Sequence, residues 1–189
     1  MASNRQRRPD DEKLRELILY VSILSKDDRN FGATKLNKLL FYADFLAYQK
    51  FGSAITGQEY QALPQGPAPR RLKPIIESMK RSGDLKQERR KSGRFEQIRP
   101  VPVRNADLSK FSGPEVDLVV GVVKRFRNMN ATDISNESHF FLGWQLGVQG
   151  ETIPYSVILI GNRKPTEAEK RKGRALQKFA RETLAGGHR

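Results

Sequence analysis

Few side chains in this chain of 189 residues are suited to proton transfer or nucleophilic attack. There are two histidines, His139 and His188, and no cysteine, which excludes a thiolate nucleophile and a cysteine-ligated metal site. Ser138 precedes His139, but adjacent residues of a helix point about 100° apart and do not face each other. We therefore expect His139 to be a hydrogen-bonded structural residue, and we expect no catalytic residue and no metal site.

The acidic pairs and the glycines do not match catalytic patterns either. Asp10-Asp11 and Asp27-Asp28 lie at predicted helix ends, where acidic side chains act as caps and interact with the helix dipole. The glycine-rich sequences that hold nucleotide phosphates, G-x-x-x-x-G-K-[ST] and G-x-G-x-x-G, are absent from the chain. The sequence predicts a protein that binds another macromolecule, is not an enzyme and needs no cofactor.

Positive charge is the strongest signal in the composition. The chain has 35 Lys and Arg against 21 Asp and Glu, a formal net charge of +14, and a field of this size attracts polyanions or acidic protein surfaces. Residues 70–104 alone hold twelve Lys or Arg and four acidic residues. Such a patch can displace counterions from nucleic acid, for instance DNA of the protein's own operon, and can equally face an acidic protein. Composition leaves both partner classes open.

Apolar periodicity predicts four amphipathic helices. Apolar residues recur at spacings of three and four over residues 14–24, 36–47, 72–79 and 116–126. Thr34 is the predicted N-cap of the second, central helix, and Gly52 is its predicted end. Ser112 and Glu115 form a predicted capping box, and a short polar helix is expected around 132–138. These elements make the fold mainly helical.

Two β elements are expected within this helical frame. Residues 84–103 form a predicted hairpin that turns at Ser92-Gly93 and carries a cluster of cations at its tip. Residues 153–161 are rich in β-branched side chains, which predicts a short buried strand. From Thr166 onward, a basic helix with one thin apolar stripe is expected.

The fold class that follows is mainly α (α+β): a compact helical domain with a small β-hairpin and a short strand, plus a C-terminal basic helix. We predict a flexible basic arm over residues 1–9, one domain over 10–161 and a basic helical extension over 162–189. The apolar run 157–160 is far too short to span a bilayer, which needs about 20 residues. With no cysteine and no apolar signal sequence, the protein is expected in the cytoplasm and away from membranes.

Two motifs resemble one known family. The first is KLNKLLFYA from Lys35 to Ala43, followed by Gly52, Tyr60, Ala62 and Gly66-Pro67. The second is Ile134-Ser135, Ser138-His139 and Trp144. In order and spacing they resemble the Panacea domain, the SocA-like antitoxin family, over about residues 14–160. The resemblance implies structural roles for Leu36, Leu39, Leu40 and Ala43 in the core, for Gly66 and Pro67 at a turn, and for His139 packed with Trp144.

The resemblance also implies a function. Such domains neutralise a cognate toxin by direct binding, or deliver the toxin to a protease as adaptors, and neither mechanism requires catalysis. Their partners include alarmone-synthetase-like toxins and other proteins that block translation. The implied partners are therefore a cognate toxin protein and, for an adaptor, a protease. A nucleic-acid-binding protein or transcriptional autoregulator is the alternative, and the sequence leaves the toxin and the oligomeric state open.

Candidate partner-binding residues follow from the chemistry of interfaces. Interfaces favour Tyr, Trp and Arg, and binding groups are often carried on loops that a rigid scaffold positions. The candidates are Tyr60, Gln65, Pro67, Arg70 and Arg71 around the Gly-Pro turn, and Arg89, Arg90 and Arg94 on the hairpin.

Overall fold

The structure, a computed structural model, describes residues 8–92 and 95–160 and the separate positions 167, 168, 171 and 175. Most of the expected arm and of the expected basic C-terminal helix, and Arg94 at the hairpin tip, lie outside the described residues; the four separate positions are helical. Among the described residues, no helix is long and apolar enough to cross a membrane.

Two helices form the centre of the fold. Helix α1 (Asp11–Leu24) begins at Asp10, whose carboxylate accepts a hydrogen bond from the amide of Lys13 at 2.8 Å. Helix α2 (Ala33–Phe51) ends at Gly52, which has a left-handed φ of 75°. Both ends follow the predicted chemistry of a helix cap and a C-terminal glycine.

The start of α2 differs from the prediction. Gly32, and not Thr34, is the N-cap, because its carbonyl accepts the first helical hydrogen bond, from the amide of Leu36 at 2.8 Å. A Cβ atom on Gly32 would lie 2.6 Å from Cγ of Gln97. The close approach of the hairpin to the helix start therefore favours glycine at the cap, where no side chain satisfies the first amides of α2.

Short strands and a third helix follow α2. Strands β1 (Tyr60–Gln61) and β2 (Ala68–Pro69) pair antiparallel, and β1 also pairs with a strand near residue 152, as described below. The loop between β1 and β2 contains the Gly-Pro turn. Helix α3 (Leu72–Arg81) has Pro74 in its first turn, where proline is tolerated.

The basic segment forms the predicted hairpin. Strands β3 (Leu85–Ser92) and β4 (Phe95–Pro102) pair antiparallel, with Arg89 opposite Ile98. Arg99 on β4 is buried, and its guanidinium donates to the carbonyl groups of the loop after α1. This cation therefore fastens the hairpin to the helical core and is not available to a partner.

Within residues 95–160, three more α-helices follow the hairpin. Helix α4 (Gly113–Phe126) has the predicted capping box, with Ser112 and Glu115 bonded reciprocally. Helix α5 (Ala131–His139) is the predicted short polar helix, and α6 (Leu142–Leu146) is a single turn further along.

The predicted strand over 153–161 is wrong over most of its length. Only β5 (Thr152–Ile153) is extended, and it completes a sheet of order β2-β1-β5. Tyr155–Ile160 is a 3-10 helix. Pro154 has no amide hydrogen to continue the ladder, and the buried residues Tyr155 and Ile158 lie three apart, which suits one face of a 3-10 helix.

The core has two parts, which meet along α2. Aliphatic side chains of α1, α2, α3 and α4 form the first part, and Tyr42 of α2 stacks on Phe126 within it, the ring centroids being 4.5 Å apart. Aromatic side chains form the second: Phe41, Phe45, Tyr48, Tyr60, Phe141 and Tyr155. The fold is thus mainly helical α+β with small antiparallel sheets, as the sequence predicts.

Candidate functional site

The Gly-Pro turn is built onto two helices. Gly66 has a φ of 93°, which L side chains rarely adopt, and a Cβ there would collide with Oγ of Ser138 and lie 2.9 Å from Nζ of Lys38. Ser138 belongs to α5 and Lys38 to α2. Only glycine lets the loop approach both helices at this distance.

Lys38 binds the backbone of the Gly-Pro turn from its buried side. Its side chain is 1% exposed, and its Nζ donates to the carbonyl oxygen of Pro67 at 3.1 Å. Burial lowers the pKa of Lys38 to about 8, because a desolvated ammonium group is disfavoured. Lys35, one turn earlier and equally buried, instead pairs with Asp28 at 2.6 Å and donates to the carbonyl of Met129.

The pair His139 and Trp144 fixes the other side of the loop. Their rings stack with centroids 3.8 Å apart, and Nε1 of Trp144 donates to the carbonyl of Leu63 at 2.8 Å. Burial and the nearby charge of Lys38 lower the pKa of His139, against a hydrogen bond with the backbone of Pro64. The two family-like motifs therefore converge on one loop.

The hydroxyl of Ser138 is not hydrogen-bonded to the ring of His139 in the structure. The hydroxyl of Ser138 donates to the carbonyl of Ser135 at 2.7 Å, whereas a nucleophile needs its hydroxyl hydrogen-bonded to a base. Nε2 of His139 is buried without a hydrogen-bond partner. In the described parts of the chain, no group of three His, Asp or Glu side chains could hold a metal ion.

Asp44 is a buried carboxylate that the sequence analysis did not single out. It accepts hydrogen bonds from the amide of Thr56 at 2.7 Å, from the hydroxyl of Thr56 and from the hydroxyl of Tyr60 at 2.8 Å. Burial raises the pKa of Asp44, and these hydrogen bonds oppose the rise. The carboxylate joins α2 to β1 and is enclosed by aromatic rings, so it is a structural anchor.

Two clefts open on the surface beside the loop. The first, of about 570 Å³, is lined by α2, α3, the β1–β2 loop and the hairpin. The second, of about 580 Å³, lies between the start of α2, the hairpin and the start of α5, and includes Gln65. Ala33 and Ile98 line both clefts, and Ile98 is 41% exposed. We call the two clefts and the Ile98 side chain between them the Ile98 surface.

Comparison with known proteins identifies the domain. The family model "Antitoxin SocA-like, Panacea domain" matches residues 36–145, which is more than half of the chain. The chain belongs to this family. No curated protein and no solved structure matches it. The matched part of the Panacea domain contains Lys38, Gly66, His139 and Trp144 and most of the Ile98 surface.

The structure places the motif residues of this Panacea domain in the core. Leu36, Leu39, Leu40 and Ala43 are buried on α2. Gly66 is buried at the turn, and His139 packs on Trp144 above it. The motif thus builds a scaffold that holds one loop at the edge of both clefts.

Two predicted partner contacts of the Panacea domain are corrected. Tyr60 is 0% exposed because its hydroxyl is bound to Asp44 and its ring packs on Phe45. Pro67 is buried, with its carbonyl bound to Lys38. Neither side chain offers a surface to a partner in this conformation.

The other predicted contacts that lie within the described residues are exposed but do not form one cluster. Gln65 lines the second cleft and Arg70 the first. Arg71 lies beside the first cleft and pairs with Asp11 at 2.6 Å. Arg89 and Arg90 lie on the hairpin, outside the residues that line either cleft.

Fewer cations of the basic segment 70–104 are available to a partner than its composition indicates. Arg104 is bound to Glu16 and Asp84, and Arg90 pairs with Glu88. With Arg99 buried, many of the cations in 70–104 already have partners within the domain. Four described cations of this segment show no hydrogen bond or ion pair with the described residues: Lys73, Arg81, Lys86 and Lys91.

Asp44, Arg99 and Ile98 are not among the functional residues that the sequence predicts. Asp44 had a usable signal, since a lone acidic residue within an aromatic helix stripe must find donors if it is buried. Ile98 and Arg99 are adjacent in β4 and therefore face opposite sides of the strand, and which side faces the core depends on how the hairpin docks. That docking is a tertiary property.

Proposed function

We propose that this protein is an antitoxin that neutralises a cognate toxin by direct protein–protein binding. The observation that carries the proposal is the family match over residues 36–145, which spans both motifs, the Gly-Pro loop and most of the Ile98 surface. A toxin partner follows from the family, and the direct mechanism is our inference from the surface.

The chemistry of the buried motif supports binding over catalysis. Lys38 and Asp44 are buried ionisable groups of the matched region, and each is bonded to the domain itself. A catalytic group has to come within hydrogen-bonding distance of its substrate. These residues act instead on the position of a surface loop.

Charge pairing in the basic segment 70–104 favours a protein partner over nucleic acid. Arg89, Arg90 and Arg104 each have an acidic partner within 3.6 Å, whereas DNA binding needs cations free to neutralise phosphates. An acidic protein surface needs fewer free cations and also uses apolar contacts. We place the complex in the cytoplasm, where a cysteine-free chain is suited to the reducing conditions.

Co-expression tests the proposal. The product of the reading frame next to this gene, expressed alone, is expected to stop growth, and co-expression of this protein is expected to restore it and to give a complex on purification. A harmless neighbour, or a toxic one that this protein neither binds nor neutralises, would contradict the proposal. Rescue that requires a particular host protease would replace direct inhibition with delivery to that protease.

A further inference from the structure

The Ile98 surface combines an apolar centre with open clefts. The first cleft is lined largely by apolar side chains: Leu36, Leu63, Leu72, Ile76, Ile98 and Pro100. Its volume, about 570 Å³, falls within the range of sites that enclose small ligands or a few side chains. Exposed apolar surface of this kind, framed by polar residues, is typical of interaction sites.

The charges that border the first cleft are mainly positive. Arg70 and Lys73 line it together with one acidic residue, Glu77. Both carboxylate oxygens of Glu77 accept hydrogen bonds at 3.0 Å from Lys80. Arg70 lies 3.6 Å from Glu59, whereas Lys73 shows no hydrogen bond or ion pair with the described residues, so Lys73 gives the first cleft a net positive border.

The second cleft is positive for a different reason. The first turn of α2, including Ala33 and Thr34, lines it, and that turn has neither a side-chain cap nor an acidic residue. The first amides of a 19-residue helix therefore lie beside the cleft, and they carry a partial positive charge. Glu96, the acidic residue that lines it, lies 3.6 Å from Arg89.

We propose that the Ile98 surface binds an acidic segment of the toxin that carries an apolar side chain. The apolar side chain occupies the first cleft against Ile98, and carboxylates of the segment lie near Lys73 and the start of α2. This inference rests on the proposed function, because it takes the toxin as the partner. It places the contact on the Ile98 surface and predicts that the bound segment is acidic and carries an apolar side chain.

Charge disfavours two other occupants of the surface. A second copy would bring an identical positive border against the first. The C-terminal segment of the chain has nine Lys or Arg from residue 163 onward, so it would add positive charge to a positive surface. Like charges placed together at an interface disfavour association. An acidic segment of another protein is the complementary occupant.

Two substitutions on this surface and one control test the inference. Ile98→Glu introduces a carboxylate at the apolar centre, and Lys73→Glu reverses a border charge in the first turn of α3, where an acidic residue suits the helix dipole. Leu108→Glu is the matched control, because Leu108 is 42% exposed, as Ile98 is, but lines neither cleft. Circular dichroism and thermal unfolding verify that all three proteins are folded.

The affinity for the purified product of the adjacent reading frame is measured by titration calorimetry. We expect Ile98→Glu to raise Kd at least about tenfold, Lys73→Glu to raise it several-fold, and Leu108→Glu to leave it within about twofold. We also expect Kd of the wild type to rise as salt increases from about 50 to about 300 mM, because salt screens the opposite charges at the contact.

Four results would overturn the inference. If Ile98→Glu and Lys73→Glu both bind the toxin with wild-type affinity, the Ile98 surface is not the contact, and the antitoxin proposal is unaffected. If Kd does not depend on salt, the bound segment of the toxin is not acidic. If the wild type does not bind the toxin, both the proposed function and this inference are wrong. If Lys73→Glu loses binding to duplex DNA but keeps binding to the toxin, the surface binds nucleic acid instead.

Hydrogen exchange supplies a test that needs no variant. Binding of the toxin is expected to slow exchange of the amides at the start of α2 and in β4. Protection confined to the exposed face of α4 would place the contact elsewhere and contradict the inference.

Discussion

Nζ of Lys38 and the carbonyl oxygen of Pro67 lie 3.1 Å apart, so a buried ammonium group of the central helix holds the Gly-Pro turn. Ser138 and the stacked pair of His139 and Trp144 support the same loop from α5 and α6. The motif that marks the family therefore acts at one place. It sets the position of a loop that borders both surface clefts.

Gly66→Ala tests how tightly this loop is held. A Cβ at Gly66 would strain φ and also collide with Ser138, so we expect a loss of about 3 kcal/mol in the free energy of unfolding. Gly83 is the matched control, with a φ of 78° and no atom within 4 Å of an added Cβ. Gly83→Ala is expected to lose only about 1 kcal/mol from backbone strain. Urea unfolding measures both, and equal losses would contradict the close packing of the turn.

Lys38→Met tests the buried ammonium group. The pKa of Lys38 is about 8 in the folded chain, below its ordinary value of 10.5, so the folded state loses the proton first. The wild type therefore gains stability relative to Lys38→Met as pH rises from 8 towards 10.5. Between pH 7 and 9.5 we expect a relative gain of about 2 kcal/mol.

Urea unfolding of both proteins at several pH values measures this difference. Tyrosines with raised pKa values, such as Tyr42, are present in both proteins, so their effect cancels in the comparison. A difference that stays constant between pH 7 and 9.5 would show that Lys38 is charged and well paired in the fold.

Asp44→Leu and Asp44→Asn separate the polar network from the charge. Leucine leaves the donors of Thr56 and Tyr60 unpaired, and we expect a loss of at least about 3 kcal/mol. Asparagine keeps an acceptor for the Thr56 amide and should cost less, about 1 kcal/mol. Chemical unfolding at pH 7 measures both losses, and a leucine variant as stable as the asparagine variant would contradict the network.

The pH dependence of Asp44→Asn has a predicted sign. Burial raises the pKa of Asp44, so its contribution to wild-type stability is greatest below the unfolded pKa and declines as pH rises. The free energy of unfolding of Asp44→Asn should therefore increase relative to that of the wild type as pH rises from about 4 to about 7.

Arg99→Met tests the attachment of the hairpin. The guanidinium of Arg99 donates to the carbonyl groups of Ser25, Lys26 and Asp28 at 2.5–2.9 Å. Removing it leaves buried acceptors without donors, and we expect a loss of about 3 kcal/mol or more in the free energy of unfolding. Arg89→Met, on the same hairpin with 77% of its side chain exposed, should change stability by less than about 0.5 kcal/mol.

The helices could be predicted from the sequence because their apolar stripes and caps are local. The capping box of Ser112 and Glu115 and the left-handed Gly52 are decided by neighbouring residues. The segment after Pro154 was mispredicted because β-branched residues favour strands only where a ladder is available. Here proline ends the ladder, and Tyr155 turns into the core to bond the carbonyl of Gln58 at 2.6 Å.

The candidate site was predicted only in part. The motif residues converge on the Gly-Pro loop, and Gln65 and Arg70 lie beside the clefts. Tyr60 was misjudged because composition favours tyrosine at interfaces, whereas its hydroxyl here serves a buried carboxylate. Which side of β4 faces a cleft, and so the place of Ile98, depends on the docking of the hairpin by Arg99.

Neutralisation by direct binding is tested by titrating the purified toxin, the product of the adjacent reading frame, with this protein in a reconstituted assay that contains no protease. We expect the toxin's activity to fall to zero at a fixed stoichiometry and a complex of the same stoichiometry to be isolated. An undiminished toxin activity in the presence of excess protein would contradict neutralisation by direct binding.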